Sequence, residues 1–206
     1  MLNIEKFKAE ISNKGVLKTN RFLVKFRMPN YLIPKYGTNG TQQLELRCEA
    51  AQLPGMQFAT IDGPPRLGYG PIESTPYGVV FEDMSLTFIV DANSSVYKLL
   101  YDWTNAIVNY NNQGYITPSG ARGTVSGMKT YEVGYKYDYS TDITVVMYDG
   151  VKPSGGGEET PVLQSVAYNA FPKGLPSVDL AWEANDQYVK LTIPFSYTDY
   201  NVIYPK

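Results

Sequence analysis

The stretch Met84-Ser85-Leu86-Thr87-Phe88-Ile89-Val90-Asp91-Ala92-Asn93-Ser94, with the residues that follow it, decides the fold. Met84, Leu86, Phe88 and Val90 fall on one side of an extended chain, and Asp83, Ser85 and Thr87 on the other. This is the period-two pattern of a strand with one buried face. The alternation stops at Asp91–Ser94, short side chains suited to a helix N-terminus. Val96, Leu99, Leu100, Trp103 and Ile107 then recur at helical spacing. The pattern predicts a helix of about 15 residues, fraying at Asn109-Tyr110-Asn111-Asn112 and stopping at Gly114. Its apolar stripe needs a sheet to lie across.

The same alternation recurs on both sides of this unit. Phe22, Val24 and Phe26 oppose Arg21, Lys25 and Arg27, with Leu23 the exception. Between Gln43 and Ala50, the series Leu44, Leu46, Cys48, Ala50 opposes Gln43, Glu45, Arg47, Glu49. This predicts a strand that carries Cys48 into the core as a structural thiol. Two hairpins are predicted later. Tyr131–Asp138 would pair with Ile143–Asp149 across Tyr139–Asp142, and Ser177–Trp182 with Gln187–Tyr197 across Glu183–Asp186. Pro194 lies opposite the apolar face of the last strand and donates no ladder hydrogen bond, which marks an edge or a bulge. Gly120–Gly127 and Val151–Pro161 read as flexible surface loops. Residues 53–79, with Leu53-Pro54-Gly55, Gly63-Pro64-Pro65-Arg66 and Gly68-Tyr69-Gly70-Pro71, read as a long, proline-stiffened connection of the kind that is functional or bound to something. Together these elements predict a mainly β, antiparallel sandwich or barrel-like protein with one flanking helix, in a single domain over residues 1–206.

Composition removes most enzyme classes. With 206 residues and no histidine, the chain lacks the His of Ser-His-Asp and Cys-His triads and of most zinc sites. The single Cys48 excludes an intrachain disulfide and any multi-cysteine metal site. Gly68-x-Gly70 lacks the third glycine and the helix of a dinucleotide fingerprint. Glu82-Asp83, Asp138 with Asp142, and Glu158-Glu159 read as solvated acids, not as a glycosidase pair. No catalytic residue, cofactor or metal ligand is assigned. Charged residues make up only 18% and aromatics 14%, with 18 Tyr scattered along the chain, a composition suited to buried interfaces. Charge is also polarised. Lys6, Lys8, Lys14, Lys18, Arg21, Lys25 and Arg27 against Glu5 and Glu10 give +5 in the first thirty residues and −7 in the rest, for a total of −2. Residues 1–20 read as a basic arm for nucleic acid or for an acidic face of a neighbouring copy. No apolar run reaches the roughly 18 residues of a membrane span. The lysines near the start interrupt any signal-like stretch, so a non-secreted protein is expected.

Several short runs in fixed order carry a resemblance. Arg47-Cys48-Glu49-Ala50-Ala51-Gln52-Leu53-Pro54-Gly55, then Arg66, then Phe81-Glu82-Asp83-Met84-Ser85-Leu86-Thr87-Phe88, then Tyr101-Asp102-Trp103 on the helix, resemble the tail tube proteins of contractile-tailed, T4-like phages. Ala170-Phe171-Pro172, Val178-Asp179-Leu180-Ala181-Trp182-Glu183 and Tyr188–Tyr197 resemble that family's closing hairpin. The likeness covers roughly residues 20–200. It departs in the basic N-terminus and in Gly-rich insertions at 112–130 and 150–161.

The resemblance implies a structural virion protein, assembled in the host cytoplasm. Hexameric rings would stack into the inner tail tube, with tail sheath and baseplate proteins as further partners. DNA would pass through the lumen without specific binding. Leu53, Pro54, Gly55, Pro65, Arg66, Tyr69 and Tyr77 are then candidates for contacts between copies. Glu45, Glu49, Asp83, Asp138 and Asp142 are candidates for an acidic lumen wall that does not hold phosphates. Two other readings remain at this point. One is a tube-like protein of another contractile injection system or of the tail terminus. The other is a monomeric β-sandwich module that binds carbohydrate or another ligand on Trp182 and neighbouring tyrosines.

Overall fold

The computed structural model describes residues 4–63, 68, 70–109, 132–149, 161–178, 180–182 and 188–205. Helix α1 (Ile4–Lys14) precedes strand β1 (Phe22–Phe26), the short helices α2 (Ile33–Tyr36) and α3 (Gln42–Arg47), and strand β2 (Cys48–Ala51). Strands β3 (Met56–Asp62), β4 (Ser74–Phe81) and β5 (Met84–Ile89) lead into helix α4 (Ser95–Ile107). The two-residue strands β6 (Val108–Asn109) and β7 (Glu132–Val133) follow, then α5 (Lys136–Tyr139), β8 (Thr141–Tyr148), β9 (Pro161–Pro172), β10 (Lys190–Ser196) and β11 (Asp199–Ile203).

Seven strands form one antiparallel assembly in the order β1-β8-β9-β10-β5-β2, with β11 also paired to β9. β9 belongs to two sheets. Its first part pairs with β8 and β11, and its last two residues, Phe171 and Pro172, pair with Ser196 and Phe195 of β10. The change of direction falls at Asn169, whose φ of 50° lies in the left-handed region. There the register against β8 shifts between Thr141 and Ile143, and the Asn169 amide donates to the Asp142 carboxylate at 3.2 Å. Asn is among the residues that tolerate this conformation, and a bulge with such a residue turns a strand from one sheet into the next.

The two sheets enclose the core as the alternation dictates. Val24 and Phe26, Met84, Leu86 and Phe88, Ile143 and Val145, and Leu191, Ile193 and Phe195 all point inward and are buried. Helix α4 closes the core with Val96, Leu99, Leu100 and Trp103. Its first turn is held by Asp91, whose carboxylate accepts from the Ser95 hydroxyl at 2.6 Å and the Val96 amide at 3.3 Å. These bonds keep the Asp91 carboxyl below its ordinary pKa. Ser94, itself left-handed at φ 54°, makes no side-chain cap.

Several sequence expectations are corrected. Gln43–Arg47 is helical, and only Cys48–Ala51 is extended. Residues two apart lie about 200° apart around a helix, so Leu44 is fully buried while Leu46 is 84% exposed. Residues 53–79 are no irregular loop, because β3 and β4 pair from Met56↔Phe81 to Asp62↔Ser74. β8 pairs with β1 and β9 and not with Tyr131–Asp138, whose described residues form β7 and α5. No strand forms at Ser177, Val178 or 180–182, and β10 pairs with β5 and β9 instead. Helix α4 has 13 residues and passes directly into β6. The expected stop at Gly114, the insertion at 112–130, residues 150–160 and the turn 183–186 lie outside the described residues.

Candidate assembly surfaces

β3 and β4 form an arm whose base is fastened to the body by three rings. Phe81 lies 5.9 Å from Tyr197 and 5.8 Å from Tyr200, centroid to centroid. The Gly55 carbonyl accepts both the Tyr197 hydroxyl at 3.0 Å and the Glu82 amide at 3.1 Å. Beyond this base the arm has no cover. Cross-strand partners share a face, so Met56, Phe58 and Val79 continue the face that Phe81 begins. All three are exposed, Phe58 by 60%. Tyr77 is the extra residue of a bulge between Ala59↔Gly78 and Thr60↔Pro76, and is exposed as well.

The strand edges divide into open and closed ones. The Phe26 amide, on the side of β1 away from β8, donates to Glu45 Oε1 at 3.0 Å, and the Phe26 carbonyl accepts the Thr41 hydroxyl at 3.0 Å. Helix α3 thus plugs the β1 edge against further pairing. β2 has no strand beyond β5 among the described residues, and β10 meets β9 only at Phe195 and Ser196. Pro194 falls on this open side, its carbonyl accepting from the Lys173 amide at 2.9 Å while its nitrogen leaves no donor unpaired.

The outer face of the β2-β5-β10 sheet is polar and charge-balanced. At one end Lys190 pairs with Glu49 at 2.7 Å, and the Tyr188 hydroxyl donates to the same carboxylate at 3.2 Å. At the other end Lys173 pairs with Asp83 at 2.7 Å. Ser85, Thr87 and Thr192 lie between, with the two threonine hydroxyls 3.0 Å apart. The hydrogen bond from Lys190 holds the Glu49 carboxyl below its ordinary range.

The sequence candidates are therefore spread over distinct places. Glu49 and Asp83 share the polar face. Glu45 plugs the β1 edge, and Asp142 holds the Asn169 amide at the bend. Asp138 stands on α5, its backbone carbonyl accepting from Tyr31 at 3.0 Å. Of the contact candidates, Leu53 is exposed, Pro54 and Gly55 are partly buried at the base of the arm, and Tyr77 stands on the arm itself. Pro65, Arg66 and Tyr69 lie outside the described residues. Lys173, Lys190 and Thr192 were missed as surface determinants. The signal was present for the last two, which alternate with Leu191 and Ile193. Trp182 is fully exposed, and no ring stacks on it among the described residues. Among the described residues there is also no cluster of three potential metal ligands, and no helix long and apolar enough to cross a membrane.

The family model for phage tail tube proteins matches residues 17–203. The chain belongs to the phage tail tube protein family. It is a structural component of the tail, not an enzyme. The fold is shared with solved proteins of contractile systems. The tail tube protein is similar to a chain of the tube-terminating cap of the anti-feeding prophage at TM-score 0.57 and 16% identity, over 93% of both chains. It matches a chain of the sheath-tube complex of PVC, an extracellular contractile injection system, at TM-score 0.57 and 15% identity, over 96% of this chain and 97% of that one. A chain of the anti-feeding prophage baseplate gives TM-score 0.57 at 10% identity, over 92% and 97%. No curated protein sequence matches.

Proposed function

We propose that six copies of this tail tube protein close into a ring, and that rings stack into the inner tube of a contractile tail. The observation that carries the ring is the β2-β5-β10 sheet. It has one buried face, one polar face and, among the described residues, open backbone on both flanks, at β2 and at Lys190–Ile193 of β10. An isolated sheet with two open edges is an aggregation hazard, whereas closing it head to tail in a ring satisfies both edges with one repeated contact. The polar face then lines the channel. Lys190 and Lys173 on it are already neutralised by Glu49 and Asp83 and so do not offer passing DNA free cations to exchange for counterions. The arm, with Leu53, Pro54 and Gly55 at its root, reaches the neighbouring ring. Sheath and baseplate proteins are the outer and end partners, a reading supported by the similarity to chains of a sheath-tube complex and of a baseplate. Assembly takes place in the host cytoplasm.

Negative-stain microscopy of the purified chain tests this reading. Six-fold rings or tubes are expected. Material that stays monomeric at high concentration and across salt conditions overturns it, as does a ring of another stoichiometry for the six-fold part.

A further inference from the structure

Helix α1 ends at Lys14, before residue 17, where the match to the family begins. At 3.6 residues per turn, Ile4, Phe7 and Ile11 fall within about 60° of one another, with Lys8 on the border of that stripe. The three apolar side chains are left 67%, 60% and 41% exposed by their own chain. An amphipathic helix of 11 residues is marginal in water without something to cover its stripe.

The arm has matching properties. Met56, Phe58 and Val79 form an exposed apolar face, extended by Tyr77. From the Met56↔Phe81 pair to Tyr77 this face runs about 13 Å at strand rise, and the Ile4–Ile11 stripe runs about 10 Å at helix rise. The charges are opposite. Between Gln52 and Ser85 the sequence has Asp62, Glu73, Glu82 and Asp83 against the single cation Arg66, a net charge of −3. Asp62 and Glu73 stand at the far end of the arm, where the Gly63 amide donates to the Glu73 carbonyl.

We propose that α1 of one copy docks across the β3-β4 arm of a second copy. Ile4, Phe7 and Ile11 lie on Met56, Phe58 and Val79, and Lys8 turns toward the acidic end of the arm. This rests on the ring-and-tube reading and adds to it a strap that precedes the residues matched by the family model. The strap joins the basic start of one chain to the acidic body of the next, which gives the charge polarity of the sequence a place in the assembly.

The test is a cross-link in assembled material. In a Cys48→Ala background, Phe7→Cys and Val79→Cys chains are purified separately, mixed, assembled and mildly oxidised. A disulfide dimer is expected from the mixture and from neither variant alone. Normal tubes without that dimer overturn the strap and leave the ring reading standing. So does a bond that forms within one chain when Phe7→Cys and Val79→Cys are combined and kept dilute. A second measurement is the concentration at which tubes appear. Phe7→Asp should raise it at least about tenfold, while Phe7→Leu restores it; an unchanged threshold for Phe7→Asp overturns the proposal. Binding of the wild-type chain, but not Phe7→Asp, to anionic vesicles, with no cross-link in tubes, assigns the helix to a lipid surface instead. A wild-type chain that never assembles overturns the ring reading and the strap together.

Discussion

The indole N–H of Trp103 donates to the Tyr139 backbone carbonyl at 2.7 Å, with both residues buried. The bond ties α4 to α5, immediately before β8, and the same indole packs edge-on against Phe195 of β10 at 5.7 Å. Trp103→Phe keeps a ring in the core but leaves that carbonyl without a partner, a loss of about 1–3 kcal/mol. Trp103→Ala adds a cavity and should cost about 3–5 kcal/mol. Urea titration of the monomer checks both values, and a Phe variant as stable as wild type would show that the carbonyl finds another donor.

Tyr197→Phe removes the hydroxyl that the Gly55 carbonyl accepts and keeps the three-ring cluster at the base of the arm. Because Glu82 still donates to that carbonyl, the expected loss of global stability is small, about 0.5–1.5 kcal/mol. The arm should loosen more than the body. Limited proteolysis should cut between Met56 and Phe81 faster in the variant while the core fragment survives. Equal cleavage rates would mean that the ring contacts alone hold the arm.

Burial pushes the Cys48 thiol from 9.0 up to about 12, and burial together with the Asp102 carboxylate raises the Tyr36 phenol further. Both groups hold a proton in the folded chain that the unfolded chain releases earlier. The contribution of Cys48 is therefore complete below pH 9 and is lost as pH rises toward 12, with a limiting slope of about 1.4 kcal/mol per pH unit. Denaturant midpoints should fall over this range, and Cys48→Ala should make the fall shallower. Thiol reagents at pH 8 should label the folded protein far more slowly than the unfolded one.

Glu49→Gln together with Asp83→Asn leaves Lys190 and Lys173 without counter-charges on the polar face. If that face lines the channel, tubes of the double variant should retain short DNA at low salt and release it as salt rises, while wild-type tubes retain none. Fluorescent oligonucleotide retention after sedimentation reads this directly. Equal, low retention by both would move the face out of the channel.

Strands with one face in the core were legible because burial imposes alternation, as in β5, β10 and β1. Helix α4 was legible for the same reason at its own period. The β3-β4 arm was not. Neither of its faces is covered within the chain, so no apolar-polar alternation marks it, and its prolines suggested a loop. Pro76 sits at the bulge of an edge strand, where a missing N–H costs little. Gln42–Arg47 misled through its brevity, since six residues fit either period. The partners of β8 could not be read either, because β1 pairs with it across more than a hundred residues and no local turn records that pairing. Among site residues, the outward acids Glu49 and Asp83 were readable as surface charges. Their neutralisation by Lys190 and Lys173 depends on strand order and was not.

β9 belongs to both sheets. A single covalent strand carries hydrogen bonds for both sheets and changes hands at Asn169, so neither sheet can open while the other stays intact. Heat should melt the body in one transition, and the slowest amides of β5 and of β8 should exchange with solvent at the same rate. The arm hangs outside that shared strand and should keep its own, faster clock.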